Sequence, residues 1–406
     1  MSGLLRMSTV RVGKMASATD ITTTAPGTLV FLEPEACETY GRDTMRLERD
    51  LYRGDNQEHV AIRGPKNLDA IAMTLLMKGV AGNTGTAAFV SLTATEHGHL
   101  FESIFGGAVS DPVGVGNTAT AGATPNLTMT ASTNYDDGRG VLFATATGTW
   151  AREIVSGGGV GPLVLDRAYT GAVTNPTTVL RGARSTLLSS VNMHTPLYID
   201  GEGEWGRRTY GGCYSSLDMD FTEGQPIKLS MSWMPTDWTA PAKANPTFTQ
   251  ASAGSHVVNI GASFHIGDSP FLVKGAKLSL GYTMQPRATV NGANGVLGMV
   301  VTRKQPVLSG TLYVGSNAAF GELADLSGTP TLQSLQGLDV AAGLTPTTRD
   351  ISLQVGTAGT QAIYLRIPAA EFRGAFAQDG NGVDVFNFTA RATRPAAGSM
   401  LRLHVY

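Results

Sequence analysis

The chain is short of the features that announce most functions. Only two cysteines, Cys37 and Cys213, occur in 406 residues. A secreted disulfide framework of this size carries more. Both therefore read as reduced, buried or semi-buried thiols, as in a cytoplasm. No stretch reaches the roughly 18 consecutive apolar residues that span a bilayer. The opening MSGLLRMSTVRVGK has no long apolar run of the signal-peptide kind. These absences predict a soluble protein made in the cytosol. Charge is balanced as well as sparse: 30 Lys and Arg stand against 32 Asp and Glu, a net of −2. Neither that balance nor any basic run offers grip on a polyanion.

Catalytic signatures are missing too. No GxSxG elbow occurs, and no Cys and His pair sits in a recognised catalytic context. Gly201 to Gly206 matches GxGxxG, but Glu202 and Glu204 stand where a pyrophosphate would sit. Arg207 to Gly212 then offers no helix. Gly157 to Gly161 lacks the Lys-Ser/Thr of a P-loop. His97, His99 and Glu102 are close in sequence, and His99 and Glu102 share a helix face. Without HExxH or a Cys pair they read as exposed polar residues rather than metal ligands. Asp379, Asn381 and Asp384 superficially resemble a calcium loop, yet the terminal Glu is absent. Asp-Gly and Asn-Gly there suit a hairpin turn, because both supply positive φ. Whether that turn holds a cation stays open. Asn134 to Gly138 reads the same way. Carboxylates are scattered rather than paired. No cofactor and no enzymatic activity are expected.

What is abundant is turn and strand material. Fifty Gly and nineteen Pro punctuate short runs rich in Thr, Val and Ala. At this length two or three domains are expected. Residues 1–27 are Ser, Thr and Ala-rich and predict an extended arm that orders on a neighbour. Residues 28–240 and 241–406 predict two β domains, divided by the Pro-rich stretch 235–255. In the first, strands fall at 28–32, 68–78 and 86–92. Thr95 then caps a helix over 96–105, ended by Gly106-Gly107. Residues 108–134 read as a low-complexity loop. Tyr214–Phe221 and Ile227–Trp233 form a closing hairpin: Leu217, Met219, Phe221, Leu229, Met231 and Trp233 face one way. The second half repeats the order. It has strands at 275–282, 296–303 and 307–314, a helix over 317–326, strands at 351–355 and 362–367, and a hairpin of 371–377 with 383–390. Between the first strands lies 44–66, dense in charge at Arg46, Glu48, Arg49, Asp50, Arg53, Asp55 and Glu58. It reads as an exposed hairpin or loop suited to polar docking on another subunit.

Three segments carry a resemblance. Leu68 to Gly107 runs strand, Gly/Thr-rich turn, strand, then a helix with His97-Gly-His99-Leu-Phe-Glu102-Ser-Ile-Phe-Gly106. Arg207 to Trp233 runs Gly-Gly-Cys, strand, Gly turn and a strand ending Ser-Trp. Ile367-Pro368 is followed by an Asp-Gly-Asn-Gly hairpin and a Phe/Thr strand. In order and texture these resemble the tail tube proteins (major tail proteins) of long-tailed bacteriophages, in a duplicated-domain form. The resemblance implies two tandem β-sandwich or barrel domains, each with one short α-helix, contributing strands to a ring-shaped inner β-barrel. Three chains would make a pseudo-sixfold ring, or six if the duplication is absent. Rings would stack into a tube through which DNA passes without specific binding. Tape-measure and tail-terminator or initiator proteins are the implied partners. The implied location is the virion tail, assembled in the host cytoplasm. The lumen would be lined by Asp218, Asp220, Lys228, Ser230, Ser232, Lys277, Ser279, Asn387 and Thr389. The charged segment 44–66, the loop 286–295 and the N-terminal arm would reach the adjacent ring.

Two other readings compete. A virion-surface or fibre β-sandwich could bind glycan or a receptor on Trp205, Trp233 and Trp238. A β-rich hydrolase would need carboxylates that cluster only in space.

Overall fold

The structure, a computed structural model, describes residues 4–406 apart from 8, 18, 21, 41–45, 49–60, 64–68, 81–87, 90, 93–94, 96, 160, 175, 191–193, 204–205, 244–254, 261, 289–294, 315–347, 357–360 and 394–397. It is mainly β, with one α-helix among the described residues.

Alternation of apolar and polar side chains, the signature of a half-buried strand, builds one long sheet. Its strands are β1 (Leu4–Arg6), β2 (Ala36–Tyr40), β3 (Ile71–Leu76), β4 (Leu217–Thr222), β5 (Lys228–Trp233) and β6 (Val273–Ser279), then β7 (Val307–Tyr313), β8 (Thr348–Val355), β9 (Ile363–Gln378), β10 (Asp384–Ala392) and β11 (Ser399–Val405). The order is β1-β2-β3-β5-β4-β6-β7-β10-β9-β8, continued by Ser263–Ile266 and Ser269–Phe271. Strand β11 pairs both β9 and Ala183–Leu188. All these pairings are antiparallel.

A second sheet of five strands orders Asp237–Thr239, Gly206–Cys213, Leu197–Gly203, Thr9–Lys14 and Val30–Leu32. Helix α1 (Gly98–Phe105) packs on Thr9–Lys14, Ala183–Leu188 and Leu197–Gly203. Its Leu100, Phe101, Ile104 and Phe105 are all buried. One hydrophobic cluster joins this helix, the second sheet (Val10, Ile199) and the long sheet from Leu75 through Met219, Leu278 and Leu308 to Leu403. Six strands between Thr118 and Arg181 close into a separate small barrel. Leu127, Tyr135, Phe143, Ile154 and Val179 fill it.

Several expectations need correction. The segment 1–27 is not simply an arm. Val10 and Val12 are fully buried, and Thr9–Lys14 pairs with Leu197–Gly203, because its Val-x-Val alternation has an apolar face to cover. Residues 108–134 are not all loop. Thr118–Ala123 and Asn126–Met129 are barrel strands, with Ala119 and Leu127 supplying the inward face. The helix starts at Gly98, two residues later than expected, and Thr95 does not cap it. The Thr95 hydroxyl instead donates to the Leu92 carbonyl. Gly106 ends the helix at φ +77, as its position suggested. The expected strands 362–367 and 371–377 are one sixteen-residue strand, β9, running through Pro368. Proline fits there because β9 changes partners around it: β11 borders β9 as far as Arg366, and β10 takes over from Ala370. The C-terminal strand β11 was not expected at all. The second predicted helix, 317–326, and most of 235–255 lie outside the described residues.

The sheet runs unbroken across the expected boundary at 240/241, since β4 pairs β6 from Asp218 opposite Ser279 to Thr222 opposite Gly275. Leu278 is fully buried at this join. Truncation of a buried Leu to Ala typically costs about 2–5 kcal/mol. All four tryptophans precede residue 240. Leu278→Ala is therefore expected to lower the denaturant midpoint reported by tryptophan fluorescence. Two halves that unfold independently would leave that midpoint unmoved.

Candidate assembly surface

The buried alternation of β3, β4, β5, β6, β7 and β10 leaves a second, polar set of side chains on the opposite face. Cross-strand register lines these up in rows. One row reads Thr74, Ser230, Asp218, Ser279 across β3, β5, β4 and β6. The next reads Lys228, Asp220, Lys277, Ser309, Thr389, Arg373 across β5, β4, β6, β7, β10 and β9. A third reads Thr222, Gly275, Thr311, Asn387, Ala375. Eight of the nine residues singled out from the sequence fall in these rows: Asp218, Asp220, Lys228, Ser230, Lys277, Ser279, Asn387 and Thr389. Ser232 lies opposite Ala72 one step along β5. All nine are exposed or half-buried. Sequence reading missed Thr74, Ser309, Thr311 and Arg373. The alternation of β3 and β7 carries the signal for the first three.

Charges alternate in sign on this face. Lys277 Nζ lies 3.2 Å from Asp218 Oδ2, and Lys228 Nζ lies 3.4 Å from Glu35 Oε2. Arg373 is hydrogen-bonded to Glu371. Thr311 donates to Asn387 Oδ1 at 2.8 Å. Opposite charges facing each other across strands stabilise, and like charges destabilise, by a few tenths to about 1 kcal/mol per pair. The face is thus polar without a surplus of either sign.

The ends of the sheet are positioned by the same ladder. Strands β2 and β6 are four antiparallel steps apart, so they run in the same direction. Each is followed by a two-stranded hairpin before the next sheet strand. Arg46–Glu48 pairs Ala61–Arg63 after β2, and Thr283–Ala288 pairs Val296–Arg303 after β6. Both hairpins leave the same end of the sheet. The backbone of Arg46 and Glu48 lies in the first hairpin, whereas Arg49, Asp50, Arg53, Asp55 and Glu58 lie outside the described residues. The loop 286–295 is described only at its two ends, in the second hairpin.

At the other end sit the tight turns of β4–β5 and β9–β10. In the latter, Asp379 Oδ1 accepts from the amides of Asn381 and Val383 at 2.9 and 3.0 Å. Its other oxygen takes Lys274 Nζ at 2.7 Å. The Lys274 hydrogen bond and these two amides hold the Asp379 carboxyl down at about 2. The Asp-Gly-Asn-Gly sequence is used as a turn, with Gly382 at φ +76.

A second charged cluster fixes the small barrel to the sheet. Glu153, on the barrel strand Gly148–Ser156, accepts from Arg366 at 2.9 Å and from Arg402. His404 Nε2 is 3.4 Å away. The Gly140 amide donates to His404 Nδ1 at 3.1 Å, which puts the ring proton on Nε2, toward Glu153. Asp166 accepts from the Tyr364 hydroxyl at 2.7 Å, and Asp350 accepts from Arg167 and Arg366, both at 2.6 Å. Carboxylates scattered in sequence are therefore gathered in space. Burial alone would raise the Glu153 carboxyl, but His404, Arg366 and Arg402 hold it below its ordinary value. Glu153 and Asp166 are almost wholly shut from solvent, and guanidinium groups contact all three carboxylates. That arrangement suits a structural weld better than proton transfer.

The remaining candidates resolve one by one. His97 is buried, not exposed: its Nε2 accepts from the Lys78 amide at 3.0 Å. Glu102 is buried between His99 and Lys14, at 3.4 and 3.2 Å. These residues hold α1 against its neighbours. Among the described residues, no three His, Cys, Asp or Glu converge as metal ligands. Gly201 and Gly203 lie in a strand paired with Gly206–Cys213, so no helix follows the GxGxxG match. Trp233 is fully buried, and Trp238 is buried beneath Arg208, 4.7 Å from its ring. Trp205 lies outside the described residues. Cys37 and Cys213 are free and buried, with burial pushing the Cys37 thiol up to about 12. No described helix is long and apolar enough to cross a membrane.

Two outcomes follow from these charges. Asp220→Lys sets three lysines side by side in one row and is expected to cost about 1 kcal/mol or more in urea titrations. High salt should recover part of that loss by screening, and Asp220→Asn should cost less. His265 is buried beside the weld. Its burial, with Arg152 and Arg167 nearby, lowers it from 6.5 to about 3. The folded ring stays neutral over a range where the unfolded one binds a proton, so its stabilising contribution is full above about pH 6.5 and shrinks as pH falls toward 3. The slope from this one group is about 1.4 kcal/mol per pH unit. Denaturation curves of His265→Gln between pH 7 and 4 are expected to show a shallower acid loss than wild type.

Compared with known proteins, the chain matches no family model and no curated protein sequence.

Proposed function

We propose that this chain is the structural subunit of a self-assembling tube built from stacked rings, of the kind that forms a phage tail. The observation that carries this reading is a strand order that occurs twice in one sheet. The first half contributes β2-β3-β5-β4 and the second β6-β7-β10-β9. In each set, the first two strands are linked through a hairpin and the last two by a tight turn. The β4–β6 pairing joins one set to the next.

Such a pattern is extendable. Strand β9 is four antiparallel steps from β4 and so runs in the same direction. A second copy can present its β2 to β9 as β6 is presented to β4. Three copies then place six sets in a closed ring of pseudo-sixfold symmetry. A hexamer is the alternative if only one set per chain enters the ring. Closure removes sheet edges, which otherwise invite uncontrolled pairing.

The polar rows would then face the lumen, with Asp218, Asp220, Lys228, Ser230, Ser232, Lys277, Ser279, Asn387 and Thr389 among the lining residues. Balanced charge there suits a conduit, because a polyanion must slide rather than bind. The hairpins after β2 and β6 leave one end of both sets together and would meet the next ring. Tape-measure and terminator or initiator proteins would set the length and ends of the tube, in a virion tail assembled in host cytoplasm. This is a structural and not an enzymatic role.

Negative-stain electron microscopy of the purified protein, with light scattering for mass, tests the reading. Hollow tubes with a regular ring repeat are expected, and symmetry averaging separates trimer from hexamer. A chain that stays monomeric at high concentration, even with an initiator complex added, overturns it.

A further inference from the structure

If the two sets are equivalent, their outer edges should be handled alike, and they are not. The outer edge of β6 is occupied by β4 over five residue pairs, Asp218 opposite Ser279 to Thr222 opposite Gly275. The outer edge of β2 is occupied by the chain's own N-terminus. Strand β1 pairs it over only three residues: Leu4 opposite Tyr40, Leu5 opposite Thr39 and Arg6 opposite Glu38. The Met7 amide adds one bond to the Cys37 carbonyl at 3.0 Å. Beyond Met7 the chain is anchored, since Thr9–Lys14 is a strand of the second sheet with Val10 and Val12 fully buried. Residues 4–6 are thus a short strand that leads directly into this anchor.

The opposite end of the run shows what belongs on β2. Among the described residues, strand β9 borders β8 as far as Glu371 and borders β10 on to Gln378. Along Arg373, Ala375 and Ala377, the side away from β10 carries no strand among the described residues. By the repeated order, this stretch matches β4 where β4 pairs β6. Glu38 on β2 and Arg373 on β9 also bring opposite charges to the same polar face.

We infer that β1 is a removable cover for the assembly edge: in the lone chain it satisfies the backbone of β2, and on ring formation the β9 edge of a second copy takes its place. The inference rests on the ring reading above. A free strand edge is costly to leave bare and prone to wrong pairing. A three-residue cover blocks it, yet yields to a longer partner strand that forms more ladder pairs. The cover thereby sets a threshold for assembly and keeps single chains apart until their concentration or an initiator favours exchange.

The test compares wild type with a variant lacking residues 1–6, which begins at the native Met7. Light scattering and electron microscopy across a concentration series read the threshold for closed oligomers. The variant is expected to assemble at least tenfold more readily, or to assemble without the initiator that wild type requires. An unchanged or raised threshold overturns the inference while leaving the ring reading standing. Amide exchange on wild type alone covers the case of a poorly folded variant. In assembled rings the amides of 36–40 should stay protected while those of 4–6 lose the protection they have in the monomer. Residues 4–6 protected equally in both states overturn the exchange. If neither chain forms a closed oligomer at any concentration or with an initiator, the ring reading itself fails, and this inference with it.

Discussion

The rest of the structure depends on one backbone ladder, the antiparallel pairing of β4 with β6. Every strand N–H and C=O needs a partner once it is shielded from water. At this position the partner comes from the other half of the chain. The pairing makes one sheet of two strand sets, and so fixes two further things. It aligns the polar side chains of both halves in common rows, and it leaves the sheet with two distinct ends. What those ends do decides whether the molecule stays alone or adds copies of itself.

The two faces of that sheet divide the work. The apolar face is spent on a core shared with α1 and the second sheet. The polar face is not covered by any described element of the chain and carries charges that pair across strands. The small barrel stands apart from both and has its own core. It is held to the long sheet by buried ion pairs and by a small apolar contact in which its Leu142 and Ala151 meet Ala362, Tyr364 and Tyr406. Removing such charges from water costs several kcal/mol per ion. Here the cost is offset by several partners for each carboxylate, with Arg366 reaching both Glu153 and Asp350. Such a joint favours one orientation over others, since a guanidinium fork tolerates little change in geometry.

Much of the sheet was legible from period-two alternation. The closing hairpin of β4 and β5, the strands β7 and β10, and the polar face they share all appear in the order of residues, because strand geometry forces neighbours to opposite sides. Gly106 as the helix stop and the Asp-Gly-Asn-Gly turn were legible for a similar reason, as each needs a backbone conformation few residues accept. Less visible were elements whose partners are remote. Strand β11 and Thr9–Lys14 have modest local signals and become strands by pairing with residues some forty to more than two hundred positions away. The Thr and Ala repeats at 118–129 look like a loop until Ala119 and Leu127 find the inside of a barrel.

The sequence by itself determined the class of the fold, the two faces of the sheet and most of the residues on the polar one, because these follow from local periodicity. It also carried a repeated order of elements, while the expectation of self-assembly came from the resemblance of three of its segments to tail tube proteins. Only the tertiary structure decided that the halves share a single sheet, that Glu153, Asp166 and Asp350 gather around Arg366, and that the N-terminus folds back onto β2. Each of those depends on contacts between distant segments. No window of sequence contains both partners, and only the packed core brings their backbones within hydrogen-bonding reach.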